Sequence, residues 1–320
     1  MSSYSDIEYI QVSLGVLKRF NRPLPFDIYV RRTEKNFSRI FLHGDPLDWQ
    51  RIKSYEAKGI KHFYVTKEDY KKYTKYVEKL SDALFKNKGP ERRDECMPLV
   101  AEMVNYTMFN LVVEQQIDQV VVESAAKIVT QCVEGINKNP KQLLSVLKYM
   151  ANQPEIFKHS IMVAIISVML AKRCGFETES NLSLIGMGAF LHDIGVGQLT
   201  FDPDDQEMLS PEERKEMWRH PGLGKQMVDG VNGVRTEVMQ IILQHHEQPN
   251  GHGYPNGLKE GEIYPPAKIV GIVDTFCAMI SKKSYREAFS PKRSYLSMKE
   301  DVGKFDRKFL RELGKLFHVD

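Results

Sequence analysis

Six of the nine histidines in this chain lie between residues 159 and 252, and most of them interrupt apolar helical runs. They occur as His159, His192 with Asp193 directly after it, His220, the pair His245 and His246, and His252. Asp274 follows inside a further apolar run. A buried imidazole or carboxylate without a partner is costly, so a fold that buries several must pair them. A shared metal centre would partner all of them at once. Nitrogen and oxygen donors with no cysteine in the set suit iron, manganese or another octahedral ion better than a structural zinc. A lone His159 would read as a satisfied core residue; the donors downstream favour the metal.

The rest of the chain sets the frame for that cluster. Hydrophobic residues make up 42% and charged residues 27% of the 320, as in ordinary globular proteins, so two domains or one domain with a helical annex are expected. The net charge of +3 gives no basic field for a nucleic-acid polymer. Cys96, Cys132, Cys174 and Cys277 are widely spaced and read as reduced thiols, which suits a cytoplasmic protein. The N-terminus lacks the basic start and apolar run of a signal peptide, and the most apolar stretch, 161–171, is too short to span a bilayer.

The expected fold is mainly α, with a small N-terminal α+β domain over 1–75, a helical connector over 76–145 and an all-helical C-terminal bundle over 146–320. Strands are expected at 27–30, 40–42 and 60–65, with a helix over 46–58 that Gly59 ends. His43 and His62 read as surface or turn residues. Thr66 and Asp69 resemble an N-cap pair that opens a helix toward Leu84. The string 87–90 breaks the chain, and helix is expected over 92–137 and 141–150.

Pro154 suits a first helical turn and Gly175 the end of that helix. The next helix runs from about residue 180 to Asp193; Gly186 and Gly188 let a neighbour approach, and Gly195 and Gly197 end it. Ser210, Pro211 and Glu213 form a start signal for a helix that Pro221 should stop just after His220. Val238, Ile241, Ile242 and His245 share an apolar helical face. A loop rich in Gly, Pro and Asn fills 248–266, and Pro265 and Pro266 open the helix with Asp274. Lys283 and Arg286 are expected one turn apart on the helical run that follows, either as a phosphate-binding edge or as a solvated basic face.

With His159 before His192 and Asp193, and Asp274 after them, the sequence resembles the HD superfamily of metal-dependent phosphohydrolases. The string HHEQPNGHGYPNGL at 245–258 is similar to the signature of its HD-GYP branch, named here by Gly253, Tyr254 and Pro255. The resemblance spans about residues 150–300 and says nothing of the first 75. It implies an HD-type bundle and a bacterial signalling phosphodiesterase that hydrolyses cyclic di-GMP to linear pGpG and/or GMP with a metal-bridged hydroxide. It also implies two metal ions, iron first and manganese second. His159, His192 and Asp274 would hold one, His220, His245 and His246 the other, and Asp193 would bridge them. Glu155 stands where some members place a ligand for a third ion. Asp193, Tyr254 and Lys283 would be catalytic; Gly253, Tyr254, Pro255, Lys283 and Arg286 would meet the substrate. A signalling protein such as a diguanylate cyclase domain, or a second copy of the chain, would be a partner.

This sequence departs from the family pattern outside the ligand set. Val196 replaces a common lysine, Asn250 an aspartate, Cys277 a carboxylate and Lys283 an arginine. Two rival readings follow: a module that binds metal and cyclic di-GMP or a protein with little turnover, and a phosphohydrolase for another nucleotide.

Overall fold

The computed structural model describes residues 8–17, 23–33, 36–58, 60, 62–86, 97–138, 146–150, 153–201, 203, 208–283 and 285–320. The protein is mainly α-helical with one small antiparallel sheet near the N-terminus. Its contacts divide it into two compact units, Met1–Tyr106 and Thr107–Asp320. The division of labour at residues 75 and 145 stays a proposal about where regulatory, connecting and hydrolytic parts meet. Gly59, Cys96 and the string 87–90, all given roles above, lie outside the described residues.

The first unit is built on β1 (Tyr9–Val12), β2 (Ile28–Thr33), β3 (Asn36–Phe41) and β4 (Phe63–Thr66), in the order β1-β4-β2-β3. Strand β1 was not expected, because YIQV is short and alternates only weakly. One face of the sheet turns Val12, Ile28, Val30, Phe63 and Val65 into the core, while Tyr9, Tyr29, Phe37 and Tyr64 pack edge to face or stack with one another on the other. Thr66 Oγ1 accepts the Asp69 N–H at 3.2 Å and so caps the helix Lys67–Lys86. That helix buries Tyr73 and Val77.

The helix Met97–Met108 carries Glu102, which is buried in the first unit. Burial, offset in part by the Tyr73 hydroxyl, pushes the Glu102 carboxyl up from 4.5 to about 8. Tyr73 itself accepts the Ser13 N–H at 3.3 Å. The largely helical stretch expected over 92–137 is found from residue 97 onward, but with an interruption. Beyond Met108 the backbone widens into a π-helical turn, Phe109–Val113, and reverses at Gln115, whose φ is +51°. A second helix then runs Gln119–Lys138.

The bundle is formed by helices Glu155–Arg173, Glu179–Leu191, Pro211–Met217, His220–Val228, Thr236–Gln244, Pro265–Ile280, Pro291–Glu300 and Arg307–Leu316. The first two pack against each other and are apolar on nearly every side. Gly186 and Gly188 face Val129 and Ile241 of neighbouring helices, as expected of small residues. Ser210 and Glu213 form the reciprocal cap anticipated for Pro211–Met217.

Two boundaries differ from expectation. Gly195 and Gly197 do not end a helix; they sit within a 3-10 turn, Ile194–Gln198. His220 does not close the Ser210 helix. That helix stops at Met217, and His220 begins the next one with Pro221 in its first turn, where a missing N–H costs nothing. Gly195 lets this start lie against the turn, since a Cβ there would come 2.1 Å from the His220 carbonyl oxygen. Gly271 does the same between the helix Pro265–Ile280 and His245, whose carbonyl oxygen would meet an added Cβ at 2.2 Å.

Two outcomes follow. Gly271→Ala should destabilise the protein by about 1–3 kcal/mol through overpacking against backbone. Gly261→Ala, where a Cβ meets nothing within 4 Å, should be near neutral in the same urea titration. For Glu102, the folded state keeps its proton to a higher pH than the unfolded chain does. Its contribution is therefore full below about 4.5 and is lost as the pH rises to about 8. Glu102→Gln should flatten that fall in a series of thermal melts, and an unchanged slope would exclude Glu102 as its source.

Candidate metal centre

Five segments bring the donors together. His159 lies in the first turns of Glu155–Arg173, His192 caps Glu179–Leu191, His220 opens its helix, His245 caps Thr236–Gln244, and Asp274 sits mid-way along Pro265–Ile280. Asp193 and His246 each follow a capping histidine. His192, His220, His245, His159 and Asp274 are buried. Asp193 lies at the centre. Its Oδ2 is 3.2 Å from His192 Nε2 and 3.8 Å from His159 Nε2; its Oδ1 is 3.3 Å from His220 Nε2 and 3.7 Å from His245 Nε2. Asp274 closes the other side, with Oδ1 3.0 Å from His159 Nε2 and Oδ2 3.8 Å from His246 Nδ1.

The imidazole tautomers are set by the helices themselves. His192, His220 and His245 each donate Nδ1–H to the carbonyl three residues back, on Ala189, Met217 and Ile242, at 2.7, 2.8 and 2.7 Å. A carbonyl only accepts, so each Nε2 of a neutral ring is left as a lone pair aimed at Asp193. Such a backbone partner is what orients metal-binding histidines. Two of these lone pairs, on His220 and His245, stand 3.2 Å apart, and His192 Nε2 is buried without a hydrogen-bond partner. Acceptors crowded against a carboxylate need cations between them. The residues therefore fit a metal: ligand atoms of Asp193, His220, His245 and His246 lie within 4.8 Å of one another, as do those of His159, His192 and Asp193.

Without an ion, a proton on His192 stands in for part of that positive charge. Burial drives the His192 pKa down, but the adjacent Asp193 carboxylate outweighs it and holds it at about 9. Burial would raise Asp193 and Asp274, yet the surrounding histidines hold both below the usual carboxylate range. Burial also keeps His246 well below its ordinary value, with His245 adding to the effect. The site thus attracts positive charge without enough protons to satisfy it.

Not every candidate residue joins the cluster. Glu155 pairs with Lys158 at 2.6 Å, and among the described residues it is not grouped with the converging donors. His252 is exposed, and among the described residues it is not grouped with them either. The expected helical face of Lys283 and Arg286 is absent, because the helix ends at Ile280. The two residues face each other in a short antiparallel bridge instead. The Arg286 guanidinium donates to the carbonyls of Ala278, Met279 and Glu287 at 2.9, 3.0 and 3.1 Å, and lies over the Phe289 ring. A helix end leaves carbonyls without intrahelical donors, and arginine supplies them. The helical placing of the pair is thereby corrected, and Arg286 also braces the end of the helix Pro265–Ile280.

The loop with Gly253, Tyr254 and Pro255 borders the cluster. Gly253 lies against the His246 carbonyl, Tyr254 N–H donates to that carbonyl at 3.2 Å, and the Tyr254–Pro255 peptide is cis. Burial, with Asp274 and Asp193 nearby, keeps the Tyr254 phenol protonated. Two residues that sequence reading passed over organise this edge. Glu247, buried, accepts the Asn256 and Leu258 N–H groups at 2.7 and 2.8 Å and ties the loop down. Trp218 stacks on Tyr254 with ring centres 5.7 Å apart. The signal for Glu247 was its place beside two histidines; that for Trp218 was a large aromatic two residues before His220.

Comparison with known proteins fits this site. The family model described as HD domain matches residues 141–309. The chain is 26% identical over 193 residues to the cyclic di-GMP phosphodiesterase PA4108 of Pseudomonas aeruginosa, covering 60% of this chain and 46% of that one. It is 34% identical over 137 residues to a cyclic di-GMP phosphodiesterase of Thermotoga maritima, covering 41% and 36%. It therefore spans less than half the length of these relatives. In fold it is similar to Bd1817, an HDG"Y"P protein from Bdellovibrio bacteriovorus, with a TM-score of 0.66 and 21% identity over 97% of this chain and 100% of the other. Among the described residues no helix is long and apolar enough to cross a membrane. By its matched region, its ordered His and Asp ligand set and its Gly253-Tyr254-Pro255 loop, the chain belongs to the HD domain family, in the HD-GYP branch.

Proposed function

We propose that this chain is a metal-dependent phosphodiesterase that opens cyclic di-GMP to linear pGpG and cuts it on to GMP. The observation that carries the reading is Asp193, whose two oxygens face two different sets of histidines. His159, His192 and Asp274 would hold one ion and His220, His245 and His246 a second, with iron preferred and manganese next for such donors. Bound there, two ions would supply Lewis-acid stabilisation of phosphoryl charge and an activated water.

The chain's own residues do the rest. The Nδ1–H bonds of His192, His220 and His245 keep their rings from turning. Asp193 and Asp274, held ionised, fix the negative charge that retains the cations. Tyr254, protonated and in the loop tied to His246, can donate to a substrate oxygen. Lys283 is the remaining cation proposed to meet a phosphate, in a turn that Arg286 braces from below. The relatives' names support cyclic di-GMP as the substrate.

Protein loaded with ferrous or manganous ions should convert cyclic di-GMP to pGpG and GMP, and metal analysis should give about two ions per chain. Asp193→Ala should lose hydrolysis and most of the metal together while still folding, since Glu179–Leu191 keeps its apolar contacts. A variant that retains both ions sinks the bridging role. Parent protein that binds metal and the dinucleotide without turnover would be a binding module, the reading that Val196, Asn250 and Cys277 favour.

A further inference from the structure

Trp218 is a large aromatic left 46% exposed at the border of the cluster. Its position is not loose. Met217, just before it, gives its carbonyl to His220 Nδ1–H, and Trp218 N–H donates to Arg214 O at 3.0 Å. Its ring lies nearly parallel to Tyr254, at 26°, with centres 5.7 Å apart. Tyr254 in turn stacks on His246, at 29° and 4.6 Å. A run of three rings thus leads from a candidate ligand to the surface. Tyr254 is engaged by both neighbours. Trp218 is the member of the run with open ring surface.

We propose that Trp218 is a stacking platform for a purine base of the dinucleotide whose phosphodiester lies at the metal cluster. The inference rests on the phosphodiesterase reading and goes beyond it by placing the base. An exposed indole close to a cationic centre accepts any base face, because stacking is a π contact rather than a hydrogen-bond readout. It gives affinity for a cyclic dinucleotide over a bare phosphodiester, and it tolerates adenine in place of guanine. The Tyr254 ring beneath it and the backbone bonds on either side hold the indole in one orientation, so little side-chain freedom is lost on binding.

The chain has two tryptophans, Trp49 and Trp218, and Trp49 lies in the helix Trp49–Ala57 of the first unit. In a Trp49→Phe protein the emission therefore reports on Trp218. Titration with cyclic di-GMP should quench it, while inorganic phosphate at the same concentration should not. Trp218→Ala should raise KM for cyclic di-GMP roughly tenfold with little change in kcat, and Trp218→Phe should recover most of that loss. Metal content should match the parent in both variants.

Unchanged emission on saturation with the dinucleotide, or an unchanged KM in Trp218→Ala, overturns the platform. So does a Trp218→Ala protein that loses metal and kcat together, since the indole would then only support His220. If the parent hydrolyses no cyclic dinucleotide, the phosphodiesterase reading fails on its own, and the quenching titration still decides whether a base stacks on Trp218.

Discussion

The structure depends on one carboxylate, partly withdrawn from solvent, that serves two sides. Asp193 Oδ2 faces His192 and His159, and its Oδ1 faces His220 and His245. Removing a carboxylate from water is affordable only where positive charge replaces the lost hydration. Imidazoles that have already committed Nδ1–H to backbone carbonyls cannot all provide it. The unpaired His192 Nε2 and the close approach of His220 to His245 are the local cost, borne by a packed helical core. Much of the bundle answers to that point. Three of the histidines stand at helix ends, where the residue three back offers a carbonyl and the ring can turn inward. Gly195 and Gly271 then remove the bulk that would hold these ends apart.

How far the sequence made this legible depends on the residue. Most of the seven candidate donors could be read because they are polar beside apolar helical residues, and Asp274 is the clearest case, with Val273 and Phe276 beside it. The caps at Thr66 and Ser210 could be read because side chain and backbone are neighbours in sequence, whereas Pro154 stands one residue ahead of the first turn in which it was expected. His220 was misplaced on the wrong helix because a proline after it is compatible with a stop or a start, and only the packing against Gly195 decides. Lys283 and Arg286 were placed on a helix by spacing alone. Spacing does not reveal where a helix ends, and Ser281 already has extended backbone.

Trp218 was missed for a related reason. Its meaning lies in Tyr254, 36 residues away in the chain and 5.7 Å away in space. The π-helical turn at Phe109–Val113 was equally hidden, since its residues read as ordinary apolar helix. It packs against the turn that follows Asp193, and Gln115 Nε2 donates to the Gly197 carbonyl at 2.6 Å. Gln198 reaches back to Gln115 Oε1 at 2.8 Å, which makes the contact reciprocal. One extra residue in a helical turn is a local feature, but its value here comes from what it touches.

The departures from the family pattern can now be weighed by place. Asn250 accepts the His252 N–H at 2.9 Å, and its own N–H donates to the Gly303 carbonyl at 3.0 Å, so it does the turn-forming work an aspartate would do without adding charge. Cys277 lies one turn beyond Asp274 and is fully buried, and burial together with Asp274 keeps its thiol neutral. A carboxylate at that position would set a second buried anion beside Asp274 and would need a further cation. Val196 lies in the turn after Asp193 and donates its N–H to the Asp193 carbonyl, a bond that any residue but proline makes. All three replacements remove charge around the cluster while leaving its donors and their backbone supports in place. Only Val196 gives up a positive charge that would attract a phosphate, and the share of the proposed substrate affinity lost with it would fall to stacking at the bases. The aromatic run from His246 through Tyr254 to Trp218 lies where that share would be collected.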